Sequence, residues 1–220
     1  MNGIFITFEG VEGCGKSTQI TLLRQKLESL GHDVLVTREP GGAPGQSPAG
    51  ESIRRIVLDP ATGALDAVSE LFLFSAARRE LVSKIIAPAL QGGKIVLCDR
   101  FADSTAAYQG FARGMDLNLI AETARTACGE VWPHRTVLLD ISVEEGLNRA
   151  GKRMESEGRS EARFEDEGLK FHQKVRAGFL EIAKSEPGRV KIVNAVGDVT
   201  DVANAVFDAV KDVLPPAKQS

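Results

Sequence analysis

Residues 10–17 read Gly-Val-Glu-Gly-Cys-Gly-Lys-Ser and fit the pattern G-x-x-x-x-G-K-[ST]. Each residue type in it has a task in holding a polyphosphate. Gly10, Gly13 and Gly15 let the main chain curl, so that the N–H groups of Val11, Glu12 and Cys14 turn toward phosphate oxygens. Lys16 is spaced to reach the β- and γ-phosphates, and the Ser17 hydroxyl to sit on Mg²⁺. A helix beginning at Ser17 and Thr18 aims its partial positive end at the same anion. The stretch from Gly10 to Thr18 is therefore the expected ATP contact.

A second reactive pair is Asp99–Arg100 in "CDRF". At the end of a buried strand, an acid can hold Mg²⁺ through water and an arginine can grip a phosphate bidentately. The plain alternative is a structural ion pair. Further on, Arg149, Lys152, Arg153, Arg159 and Arg163 alternate with Glu155, Glu157 and Glu161. Such a run is a solvated helix face or a basic lid over about 149–163, carrying Gly151 and Gly158, that closes over the nucleotide, neutralises a transferring phosphoryl group and excludes water. No residue stands out as a general base. That fits an acceptor that is already a phosphate dianion, whose oxygen needs no deprotonation.

The elements that must position these groups alternate in type. Gly3–Phe8, Asp33–Thr37, Lys94–Asp99, Thr136–Asp140 and Arg189–Val193 read as strands, several of them continuous apolar runs of the kind buried in a parallel sheet. Helical spacing marks Ser17–Leu30, Glu51–Leu58, Asp66–Leu90 and Val199–Leu214, and Ser142–Glu145 matches a capping box. "REPGGAPGQSPAG" carries three prolines and four glycines in thirteen residues and reads as a loop. The expected architecture is an α/β fold: a five-stranded parallel sheet with helices on both faces and ligands at the carboxyl ends of the strands.

The chain of 220 residues suits a single domain, residues 1–220, with a small mobile lid. Its net charge of −3 argues against a nucleic-acid or membrane-surface partner. Three cysteines without ligand spacing, three scattered histidines and no long apolar run point to free thiols, no metal cluster and a cytoplasmic location.

Several segments together resemble the thymidylate kinase family: "FEGVEGCGKST", "TREPGG", "LFLFSAARREL", "DRFADSTAAYQG" and the basic stretch running into "ARFE". The resemblance implies a P-loop NTPase fold, ATP and dTMP as substrates, Mg²⁺, and a homodimer packed through helices including that from Asp66 to Leu90. It also implies roles. Glu12 approaches the sugar 3′-hydroxyl and the phosphates, Phe74 stacks on thymine, and Arg78 hydrogen-bonds the base. Arg100 holds the dTMP phosphate, with Asp99 near Mg²⁺. Thr105 and Gln109 contact the base, Tyr108 crowds a ribose 2′-hydroxyl, and Arg38 and Arg54 lie near the acceptor phosphate. Cys14 stands where some members carry a P-loop arginine, so Arg153 and Arg159 of the lid become the candidate catalytic arginines beside Lys16.

Without the family, Phe74 reads as a core residue on an apolar stripe, one of Arg78 and Arg79 as a solvated neighbour, and Tyr108 as a gap filler. Phe74 and Arg78 do share one helix face, four residues apart. Ala43 and Ala162 depart from the family pattern, and the 41–51 loop is longer than usual. Two other readings stand beside this one. Another P-loop kinase would act on a different acceptor. A nucleotide switch for GTP would need an Asn-Lys-x-Asp motif, which the sequence lacks.

Overall fold

A computed structural model describes residues 3–157 and 167–216, with side chains from 153 to 157 outside that description. In chain order the elements are β1 (Ile4–Glu9), α1 (Lys16–Ser29), β2 (Val34–Arg38), α2 (Pro48–Leu58), α3 (Ala67–Leu81), α4 (Ala87–Gln91), β3 (Ile95–Asp99) and α5 (Ala102–Thr105). Then follow α6 (Leu117–Cys128), β4 (Arg135–Asp140), α7 (Val143–Glu157), α8 (Leu169–Ser185), β5 (Val190–Asn194) and α9 (Val199–Val210). The five strands form one sheet in the order β2-β3-β1-β4-β5, every neighbouring pair parallel. β1 lies between β3 and β4, so the loop that leaves it opens where the sheet's connections diverge to either side.

Period-two alternation distributes the strand side chains between two cores. Ile6, Phe8, Ile95 and Leu97 face one side, against Leu23 and Leu27 of α1, Val175 and Phe179 of α8 and Val202 and Val206 of α9. Phe5, Val96 and Cys98 face the other, against Leu81 of α3, Ala89 of α4 and Cys128 of α6. Both faces are thus covered, as apolar strands of a parallel sheet require.

The stretch expected as one helix from Asp66 to Leu90 is helical from Ala67 to Gln91, but Val82–Ile86 between α3 and α4 is a π-turn. Pro88 has no N–H to give the Lys84 carbonyl, and the Ala87 N–H bonds Val82 five residues back. Asp66 caps α3 by accepting from the N–H groups of Val68 and Ser69. The capping box at Ser142 is half formed, with Glu145 N–H donating to the Ser142 hydroxyl at 3.2 Å. Three helical stretches had no counterpart in the sequence reading: α5 with its π continuation Ala106–Ala112, α6, and α8. α8 did carry a helical spacing at His172, Val175, Phe179 and Ile182, all buried.

Candidate active site

Gly15, at φ 93°, ends the phosphate loop and begins α1, a left-handed conformation that glycine adopts without strain. Inside the loop, Lys16 is buried, and its Nζ donates to the carbonyls of Gly10 and Val11 at 3.2 and 3.1 Å. Val11 and Cys14 pack beneath the loop in the core, while Ser17 and Thr18 are exposed on the first turn of α1. The loop rests on α7 with no side chain between them. A Cβ at Gly13 would stand 2.0 Å from the Gly146 carbonyl oxygen, and one at Gly146 would stand 2.5 Å from that of Glu12.

Next to the loop, β3 ends in Asp99, whose Oδ1 is buried without a hydrogen-bond partner. Arg100 follows at φ 65°, a conformation costly for a side chain with a Cβ. Buried Glu9 secures this turn by accepting from the Phe101 N–H at 2.7 Å and the Ser104 hydroxyl at 2.6 Å. Burial and the neighbouring Asp103 push the Glu9 carboxyl up to about 8, against the pull of Ser104, Arg100 and Phe101.

So turned, Arg100 reaches across the loop. It donates to Glu12 at 3.0 Å, to the Gly10 carbonyl and to the Ser104 hydroxyl, and lies over the Tyr108 ring. Glu12 also accepts from the Tyr108 hydroxyl at 2.6 Å, and its second oxygen lies 3.3 Å from Nδ1 of the fully buried His172, outside hydrogen-bond alignment. Burial alone would raise the Glu12 carboxyl; Arg100, His172, Lys16 and Tyr108 outweigh it and hold the group at about 2. A permanent carboxylate therefore stands beside the phosphate loop.

The opposite wall is built on α3. Arg78 is 1% exposed and its Nε bonds both oxygens of Glu39, at 3.0 and 3.1 Å. Its Nη2 donates to Thr105 Oγ1 at 2.7 Å, and its Nη1, buried with it, has no partner. Burial pushes the Glu39 carboxyl up to about 7, against the charge of Arg78. One turn earlier, Phe74 is half-buried and lines the cavity, which is not the core position its apolar stripe suggested. Arg79 is exposed, as expected of one of the two adjacent arginines. Gln109, 2% exposed, donates its Nε2 to Glu70 at 2.9 Å. Arg38 bonds the Gly42 carbonyl at 2.9 Å, and Arg54 that of Pro40 at 3.2 Å.

One cavity of about 330 Å³ joins these walls. Glu12, Gly13, Gly15, Lys16 and Ser17 line it at one end. All nine residues expected around the acceptor line it too, together with Asp99. Arg159, and the side chain of Arg153, lie outside the described residues. Sequence reasoning assigned no role to Glu9, Glu39, Glu70, Ser104 or His172. Glu39 and Ser104 did lie inside the motifs "TREPGG" and "DRFADSTAAYQG", whereas His172 stood only as an isolated histidine.

Comparison with known proteins agrees with this arrangement. The thymidylate kinase family model matches residues 8–206. The chain is 48% identical over 211 residues to a thymidylate kinase of Syntrophotalea carbinolica, with 96% of each chain covered. It is also 48% identical over 214 residues to that of Geobacter sulfurreducens, covering 97% of this chain and 99% of the relative. The crystal structure of thymidylate kinase from Ehrlichia chaffeensis superposes with a TM-score of 0.74 at 34% identity, covering 96% of this chain and 100% of that one. Motifs, sheet order and relatives agree, and the chain belongs to the thymidylate kinase family.

Proposed function

We propose that the protein transfers the γ-phosphoryl group of ATP to dTMP, giving dTDP and ADP. The observation that carries this reading is the shared cavity: a phosphate loop at one end, and Phe74 with the unpartnered Arg78 Nη1 at the other. A ring stacked on Phe74 can receive the guanidinium hydrogen bond at its edge, which fits a flat base held on two sides.

In this reading Lys16 exchanges its carbonyl partners for β- and γ-phosphate oxygens, and the loop from Gly10 to Thr18 cradles the rest. Arg100, with Arg38 and Arg54, holds the dTMP phosphate. One of its oxygens forms the new bond to the γ-phosphorus while the bond to the β–γ bridging oxygen breaks, and ADP departs with that electron pair. The attacking oxygen carries no proton to remove, so positioning and charge do the work. Glu12 stays anionic and accepts from the sugar 3′-hydroxyl while keeping Arg100 aligned; Tyr108 closes the space a 2′-hydroxyl would need. Thr105 fixes Arg78 and Gln109 faces the base. Arg153 and Arg159 supply lid charge.

Asp99, whose Oδ1 is buried without a partner, and Ser17 both line the cavity and carry hard oxygen donors of the kind Mg²⁺ takes; they would hold it directly or through water. Bound there, Mg²⁺ would neutralise charge on the phosphate oxygens. Exposed Val68 and Phe72, four residues apart on α3, support a homodimer contact on that helix. No helix among the described residues is long and apolar enough to cross a membrane. Three buried cysteines outside any disulfide support a cytoplasmic location.

The test is ADP release from ATP and Mg²⁺ with dTMP, dUMP, dCMP, dGMP, dAMP and UMP in turn. A strong preference for dTMP supports the assignment; preference for another monophosphate overturns the acceptor, and no acceptor-dependent turnover overturns the kinase.

A further inference from the structure

Beneath the base-facing wall lies a polar chain that no step of phosphoryl transfer uses. Glu70 of α3 is 1% exposed, and its Oε1 accepts from Gln109 Nε2 at 2.9 Å and sits 3.2 Å from Arg113 Nε. Arg113 continues to Glu167 at 3.1 Å and lies over the Phe171 ring. A carboxylate only accepts hydrogen bonds, and Glu70 is held as the ion-pair partner of the Arg113 guanidinium. The Gln109 carboxamide can therefore meet Glu70 only through its NH₂ end. Its oxygen is left for the cavity that Gln109 lines.

On the same wall, Arg78 is pinned by Glu39 and Thr105 and keeps Nη1, a donor that cannot be turned into an acceptor, unpartnered. The wall thus offers one fixed donor and one fixed acceptor. Thymine presents the complement, an acceptor at O4 and a donor at N3–H. Cytosine presents the reverse, a donor at N4 and an acceptor at N3. We propose that Glu70 is a specificity-determining residue that acts through Gln109: by locking the amide oxygen toward the cavity, it makes the pocket read a 4-oxo pyrimidine and reject a 4-amino one. This rests on the acceptor reading above, and Glu70 is a positioning residue, since it touches no substrate.

The experiment compares kcat/KM for dTMP and dCMP in the wild type and in Glu70→Gln, where the new amide can donate or accept and Gln109 is free to turn over. The dTMP-to-dCMP ratio is expected to fall about tenfold or more, the worth of one mispaired buried hydrogen bond. In a Gln109→Leu background the same substitution should leave the ratio unchanged. Loss of both activities by one common factor would make Glu70 a purely structural residue and overturn the inference. The unaltered enzyme supplies a check independent of the variant's folding. It should use N3-methyl-dTMP far more slowly than dTMP, and equal rates would refute a Gln109 acceptor. Failure of the wild type to use dTMP at all, with turnover of another monophosphate, would instead overturn the acceptor reading and this inference with it.

Discussion

Removing Arg78 should expose how much of the acceptor wall is held by one buried ion pair. Arg78→Met keeps an unbranched, helix-compatible side chain but takes the cation from Glu39, whose side chain is 5% exposed. An uncompensated buried charge typically costs about 3–5 kcal/mol, a large share of a domain's total stability. The cost should depend on pH, and its sign follows from Glu39. Its folded-state carboxyl is already raised from 4.5 to about 7 by burial, so its favourable contribution is complete below about pH 4.5 and is lost as pH rises through 7. Without Arg78 the Glu39 pKa rises further, and each unit of that rise costs about 1.4 kcal/mol at a pH above both values. Urea unfolding at pH 5.5 and 8.5 should therefore show a larger difference between variant and wild type at 8.5. Arg78→Lys, which retains a cation, should fall between them. A difference below about 1 kcal/mol, or one equal at both pH values, would refute the view that Arg78 chiefly neutralises a buried carboxyl.

Other consequences can be checked separately. Glu12 titrates in the folded state at about 2 against 4.5 unfolded, so its ionisation stabilises the protein above pH 4.5 and this fades as pH falls toward 2. Glu12→Gln should lose about 3 kcal/mol of that acid dependence in unfolding curves, and it should lower kcat/KM for dTMP even at neutral pH. Phe74→Ala should raise the KM for dTMP by the roughly 1–3 kcal/mol worth of a stacked base, about 5- to 150-fold, with little change in thermal midpoint because Phe74 is only half-buried. Activity with dUMP should persist at about 10- to 200-fold below dTMP, since one methyl separates them; equal kcat/KM would argue against a pocket closed around that methyl.

The sequence disclosed the sheet and the phosphate end of the cavity because both are written locally. Apolar runs such as residues 95–98 of β3 are fully buried, and a helix must follow the glycine turn at Gly15. The rest depends on contacts distant along the chain. Arg78 pairs with Glu39 from 39 positions away, and nothing in "AARREL" distinguishes a buried arginine from a solvated one except that partner. His172 meets Glu12 only because α8 packs beside the Tyr108 turn, where the Tyr108 and Phe171 rings meet edge to face. Glu70, at the helix's first turn, reads as an ordinary dipole-complementing acid. Its bond to Gln109 follows from tertiary packing of the π segment that continues α5.

The contact between Gly13 and Gly146 joins main chain to main chain. Because neither side contributes atoms beyond the backbone, no substitution elsewhere can make room for an added methyl, and neither position can change to accommodate the other. Gly13 carries the further demand of φ 69°. Anyone exchanging α7 and the basic segment beyond it for those of a relative would therefore have to match the graft at residue 146 before considering any arginine it carries. A graft with alanine there should fail at the phosphate loop, however well its charges were chosen.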